Sequence, residues 1–224
     1  MSKSSEPMFN FSEKPPAYLG GVFILIALLV QFMPKALDQL MGRYGVLRPL
    51  DMDGTSGLSH SLSLIGHGFL HADMTHLLVN TFMTITFGIV TLRAIKMRRG
   101  IAASKLAKKM SPSAQFFLVF FAGVMIGGIF QWGWWSMSQT VSAGAIGASD
   151  GASALFATGA WAMGGRDRMI KFGLGWALIN AVLVLAEPIF GVSIAWPAHI
   201  GGYVAGMILA PRLVKPNATG FKII

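Results

Sequence analysis

Cysteine is absent from the 224 residues, which excludes disulfides, thiolate metal sites and a cysteine nucleophile and leaves no report on redox compartment. Charge is scarce as well. Only 12% of the residues are Asp, Glu, Lys or Arg, and only 9 are acidic. A chain so poor in charge does not fit an ordinary soluble domain, and its 54% hydrophobic content and mean hydropathy of +0.60 point to a membrane protein. The HExxH pattern of zinc-dependent proteases is missing, and the set His67, His71 and His76 brings no glutamate base. Aspartyl chemistry needs two carboxylates, whereas Asp150 is the only clear one in the apolar runs. Internal repeats of the kind that build transporters are not visible either. The sequence therefore predicts neither a metal nor a cofactor, although haem ligation by histidines on facing helices stays open in principle.

What is there is a series of six apolar runs, near 17–34, 73–92, 114–133, 149–165, 172–187 and 198–211. They are read against the ~20 residues that cross ~30 Å of hydrocarbon, and some of them are short. All are read as helices, because an open strand edge finds no hydrogen-bond partner in lipid. The expectation is an all-α membrane protein, a six-transmembrane-helix bundle forming one domain over 1–224. Residues 1–16 would be a tail, 17–214 the core and 215–224 a second tail. The first run follows a polar leader and lacks a small-x-small site before Lys35, which favours a retained helix over a cleaved signal peptide.

The net charge of +9 does not by itself imply nucleic acid. With the N-terminus inside, all of the 18 basic residues except Lys35, Arg43 and Arg48 fall in cytoplasmic segments, as the positive-inside rule expects. The cluster at 93–109 is then a topology signal. The segment from 35 to about 66 reads as a long outer loop, with Pro34, Pro49, Asp51, Asp53 and Gly54 as turn signals.

Polar groups inside the spans are costly in lipid and count as site candidates: His76, Asn80, Ser149, Asp150, Asn180 and His199. At ~1.5 Å per residue from the first cytoplasmic arginine of each helix, Ser149 sits ~26 Å up from Arg166. On the same scale His199 is ~20 Å from Arg212 and Asn80 ~20 Å from Arg93. Three helices thus bring a nucleophile, a base and an amide donor to a similar depth, which is the inventory of acyl transfer. Taken alone, Ser149 would read as a helix cap and His199 as a packing residue. Close approach of the helices is provided for by small residues. Gly147 and Gly151 flank Ser149, and Gly202 and Gly206 lie on the same helical stripe as His199.

These residues resemble the rhomboid family of intramembrane serine proteases. The resemblance rests on HGFLHADMTHLLVN in the second run, GASDG at the start of the fourth and AHIGGYVAG in the sixth, in family order. It implies a Ser–His dyad, with Ser149 as nucleophile and His199 as base. It also implies an oxyanion hole of His76, Asn80 and the Ser149 backbone N–H. His67 and His71 match a segment expected to brace the loop and helix start. In three places the chain departs from the family pattern. Asp150 stands where glycine is common; a charge there, ~5 Å from an oxyanion at an effective dielectric near 20, would repel it by up to ~3 kcal/mol, unless it points away and complements the helix N-terminus. Ser153 replaces an aromatic residue that packs on the base in many members, which leaves the orientation of His199 unassigned. The outer loop also lacks the Trp-Arg pair of some bacterial members, so neither Arg43 nor Arg48 takes that role.

The function implied is hydrolysis of a peptide bond in or next to a transmembrane segment of another membrane protein. The partners would be transmembrane substrates and membrane lipid, with no nucleic acid. The loop EPIFGVSIAWPA would cap the site. A bacterial inner membrane with both termini cytoplasmic is the expected location. The alternative is a catalytically inactive relative that binds transmembrane helices without cutting them.

Overall fold

A computed structural model describes residues 13–52, 56–97, 104–138, 144–190 and 193–216. Among the described residues the architecture is all-helical, and the only β pairing is an isolated antiparallel bridge between Leu47 and Ala145. The helices are α1 (Lys14–Gln31), α2 (Lys35–Tyr44), α3 (Gly57–Gly66), α4 (Met74–Met97), α5 (Lys105–Lys109), α6 (Pro112–Ser138), α7 (Ser149–Phe190) and α8 (Trp196–Leu213). Four of them, α1, α4, α6 and α7, are long and apolar enough to cross a membrane.

The expected outer loop at 35–66 is corrected here: it contains α2 and α3. Of its turn signals, Pro49 and Asp51 lie between the two helices, where the Met52 N–H donates to the Pro49 carbonyl at 3.3 Å, and Asp53 and Gly54 lie outside the described residues. Pro34 precedes α2, where no backbone donor is needed. Ser56 caps α3 by accepting from the Ser59 N–H at 3.3 Å, while the Ser59 hydroxyl accepts from the Ser56 N–H at 2.8 Å.

The fourth and fifth apolar runs form one element, α7. A straight helix of 42 residues would be about 63 Å long, twice the thickness of a bilayer core. Instead the chain leaves helical geometry at Gly164 and Gly165, and Gly165 takes φ +67°. That backbone region suits glycine because a Cβ would collide with the neighbouring carbonyl. The two arms fold back on each other. Phe156 stacks on Phe172 with ring centroids 5.7 Å apart, whereas 16 residues of straight helix would separate them by about 24 Å. The Phe156 ring also meets Trp176 and Tyr203 edge-on, joining both arms to α8.

The distribution of side chains is inverted relative to a soluble bundle. Leu29, Phe82, Leu178 and Leu185 are exposed, while Ala152, Ala154, Ala157 and Ala160 are buried. Apolar exteriors suit lipid, and small interiors let helices approach without any hydrophobic drive between them. Cross-helix hydrogen bonds add to this packing: Thr91 Oγ1 donates to the Leu155 carbonyl at 2.8 Å, and Tyr203 OH to the Met169 carbonyl at 2.6 Å. A second layer of order comes from α6, whose Phe116, Val119, Phe120 and Val124 anchor the main core with Phe23 of α1 and Leu155 of α7. The element order brings the start of α4, the start of α7 and the start of α8 to the same end of the bundle.

Candidate active site

Ser149 opens α7, and His199 lies in the first turn of α8. Their side chains meet, with Oγ 2.7 Å from Nε2. The approach is made possible by α8's glycines. A methyl added to Gly202 would strike the backbone of Asp150, and one added to Gly206 would strike the backbone of Ala154. Asp150 and Ala154 are one turn apart, so one edge of α7 lies directly along the glycine stripe of α8. Gly151 does not share this role: its free face is filled by the Phe120 ring of α6. Gly147 is not part of the helix packing either. It precedes α7 in an extended segment at φ +122°, a correction to its placement on the helix that follows from this left-handed backbone.

That segment is held on both sides. Leu47 and Ala145 exchange backbone hydrogen bonds of 3.1 and 2.8 Å, and the Gly147 N–H donates to the His67 carbonyl at 2.8 Å. A Cβ on Gly147 would stand 2.6 Å from His76 Nε2 and 3.7 Å from Asn80 Nδ2. His76 and Asn80 therefore converge just ahead of Ser149, as their spacing of four on α4 suggested. The tautomer of His76 follows from its neighbours. The Ala72 N–H points at Nδ1 across 3.3 Å, so Nδ1 is the acceptor and Nε2 carries the proton. The Asn80 amide donates one hydrogen to the His76 carbonyl at 2.9 Å, which leaves its second N–H available. Ser149, as the first residue of α7, has its own N–H ahead of the first helical hydrogen bond.

Two residues of the second arm of α7 contact the His199 ring, a pairing that the sequence did not foresee. Asn180, on the second arm of α7, places Oδ1 2.5 Å from His199 Nδ1. Trp176, one turn before it, lies against the imidazole with centroids 6.1 Å apart. An aromatic side chain thus lies beside His199, although it does not come from position 153. Ser153 instead donates to the Ser149 carbonyl at 2.6 Å. Asn180 was legible as a costly polar group in an apolar run, but its partner depends on the fold-back at Gly164 and Gly165.

Asp150 turns away from the pair and is buried. Its Oδ2 is 2.8 Å from His67 Nε2, and its Oδ1 accepts from the Gly151 N–H at 2.7 Å. The second contact is the helix N-terminal role expected of it, whereas the histidine partner was not foreseen. His67 also reaches the Ser63 carbonyl through Nδ1 at 2.7 Å. His67 thus ties α3, the segment before Ser149 and α7 together, in keeping with a bracing role. His71 packs its ring between Phe23 and His76, at 5.4 and 5.3 Å. Arg48 turns its guanidinium back to the Gly42 carbonyl, and its own carbonyl accepts from Trp132 Nε1 at 2.9 Å. Of the expected cap at 187–198, the first part is helical because α7 continues through Phe190. Ile194 N–H ties back to Glu187 Oε1 at 2.6 Å, and residues 191–192 lie outside the described residues.

Comparison with known proteins identifies the family. The family model described as Rhomboid domain matches residues 59–216, a span that includes every residue of the cluster. Among similar proteins are an uncharacterized protein of Mycobacterium bovis and one of Mycobacterium tuberculosis. Each is 25% identical over 229 residues, covering 94% of this chain and 82% of the relative.

Proposed function

The chain belongs to the rhomboid family, and from that premise we propose that it is an intramembrane serine endopeptidase cleaving a peptide bond in or next to a transmembrane segment of other membrane proteins. The observation that carries this reading is the 2.7 Å approach of Ser149 Oγ to His199 Nε2, beside the donor-bearing edges of His76 and Asn80. A serine hydroxyl is a weak nucleophile until a base within hydrogen-bond reach takes its proton. Here Ser149 attacks the carbonyl as its proton passes to His199 Nε2. The tetrahedral oxyanion is met by the Ser149 N–H, His76 Nε2–H and the free Asn80 N–H. Such donors act on charge that exists only in the transition state, and each is typically worth about 3 kcal/mol. His199 then returns the proton to the leaving amine, and water resolves the acyl-enzyme by the same steps in reverse order.

The proposed topology has six crossings: α1, α4, α6, the two arms of α7, and α8. Both termini would be cytoplasmic and the membrane a bacterial inner membrane, with the Ser149 end of the bundle facing outward. Substrate helices enter from lipid, and local unwinding exposes the scissile backbone; helix-weakening residues near that bond assist this.

The test is fluorophosphonate labelling of the purified full chain in detergent, alongside cleavage of a single-span substrate. Wild type should label and cleave, while Ser149→Ala and His199→Ala should lose both by on the order of 10⁴-fold or more. A folded wild type that neither labels nor cuts would favour the non-cleaving relative, and labelling that persists in Ser149→Ala would place the nucleophile elsewhere.

A further inference from the structure

We infer that Asn180 is the positioning residue for His199, the third member of a Ser149–His199–Asn180 relay, an inference that rests on the serine-endopeptidase reading above. The direction of every hydrogen bond in the relay is set from one end. The Trp176 carbonyl can only accept, and the Asn180 side chain approaches it through Nδ2 at 2.9 Å. The amide nitrogen is thereby committed, and Oδ1 is the atom left to face His199, 2.5 Å from Nδ1. An amide oxygen can only accept, so Nδ1 must carry the imidazole proton. The lone pair then resides on Nε2, 2.7 Å from Ser149 Oγ. A base whose other ring nitrogen is so occupied is held in the tautomer that can receive the serine proton.

Burial reinforces this. Asn180 is 2% exposed, and a buried amide that lost its partner would be costly. The Trp176 ring limits rotation of the imidazole from one side. Because Asn180 stays neutral, it orients His199 without adding a charge to the apolar interior, unlike an aspartate in the same place. A simpler role would be a polar tie between α7 and α8, which would stabilise the bundle and do nothing to the tautomer.

The two roles separate in the full-length protein in detergent. In ¹⁵N-histidine-labelled wild type, the ring nitrogens of His199 should report a single Nδ1–H tautomer. Asn180→Leu should show a mixture of tautomers, with kcat and the fluorophosphonate labelling rate down about tenfold or more, on the scale of one lost hydrogen bond, and KM unchanged. Asn180→Asp keeps an acceptor for Nδ1–H and, in its neutral form, a donor for the Trp176 carbonyl, so it should restore the single Nδ1–H tautomer and recover most of the rate. An unchanged tautomer in Asn180→Leu would overturn the inference, as would a mixture of tautomers in wild type. If Asn180→Leu fails to fold, the tautomers of Asn180→Asp and of wild type decide. Should wild type neither label nor cleave, the protease reading falls, and the tautomer measurement still judges whether Asn180 orients His199.

Discussion

His67 and Asp150, 83 residues apart, meet through Nε2 and Oδ2 at 2.8 Å with both side chains buried. Because His67 Nδ1 faces the Ser63 carbonyl, that nitrogen must carry a proton. The contact to Asp150 then holds one further proton between two basic atoms. Whichever atom it sits on, the pair is neutral overall, so Asp150 brings no net charge next to Ser149. The departure from glycine at this position is matched by a partner from the turn that follows α3.

Replacement of Asp150 by Asn should leave cleavage within a few-fold of wild type, since an amide can donate to an unprotonated His67 Nε2 and still accept from the Gly151 N–H. Asp150→Ala strands the histidine and should cost about 1–3 kcal/mol in stability. Thermal unfolding in detergent and single-span cleavage check both. A large gain of activity in Asp150→Asn would mean that the aspartate holds the enzyme down electrostatically.

His76→Ala and Asn80→Ala should each lower kcat by roughly 10²-fold with little change in KM, because their donors act on the developing oxyanion. Steady-state kinetics of both variants provide the measurement. A rise in KM at constant kcat would reassign them to substrate binding.

Gly202→Ala should weaken the contact that brings Ser149 to His199. The added methyl meets the Asp150 backbone, and such overpacking typically costs about 1–3 kcal/mol. Labelling of Ser149 should fall together with the melting temperature. Gly175→Ala, where a methyl meets nothing within 4 Å, is the control and should change neither.

Gly165→Ala tests the fold-back of α7. With φ at +67°, alanine pays about 1–2 kcal/mol at this residue. Its effect should appear as a lower melting temperature and a weaker link between Asn180 and His199. An unaltered melting temperature would show that the turn tolerates a side chain.

Most of the candidate site is legible in the sequence. Ser149, His199, His76 and Asn80 stand out because polar side chains in apolar runs are expensive, and the rise of a helix places them at similar depth. The glycine stripe of Gly202 and Gly206 announced close packing, and the structure assigns it to the backbone of Asp150 and Ala154. Gly151 serves close packing too, but of α7 against α6, where Phe120 fills its free face, whereas Gly147 lies ahead of the helix in an extended segment beside His76.

The sequence by itself determined the helical class, the apolar exterior and the polar residues at the mouth of the bundle, because those follow from hydropathy, helical period and the cost of burying polar groups. Tertiary structure alone decided the partners: Asn180 and Trp176 with His199, and Asp150 with His67. Each pairing joins residues that are distant along the chain, and each depends on where α7 turns and how closely α8 can lie against it. Spacing within one helix carries no information about such contacts, since they are set by the relative placement of separate helices.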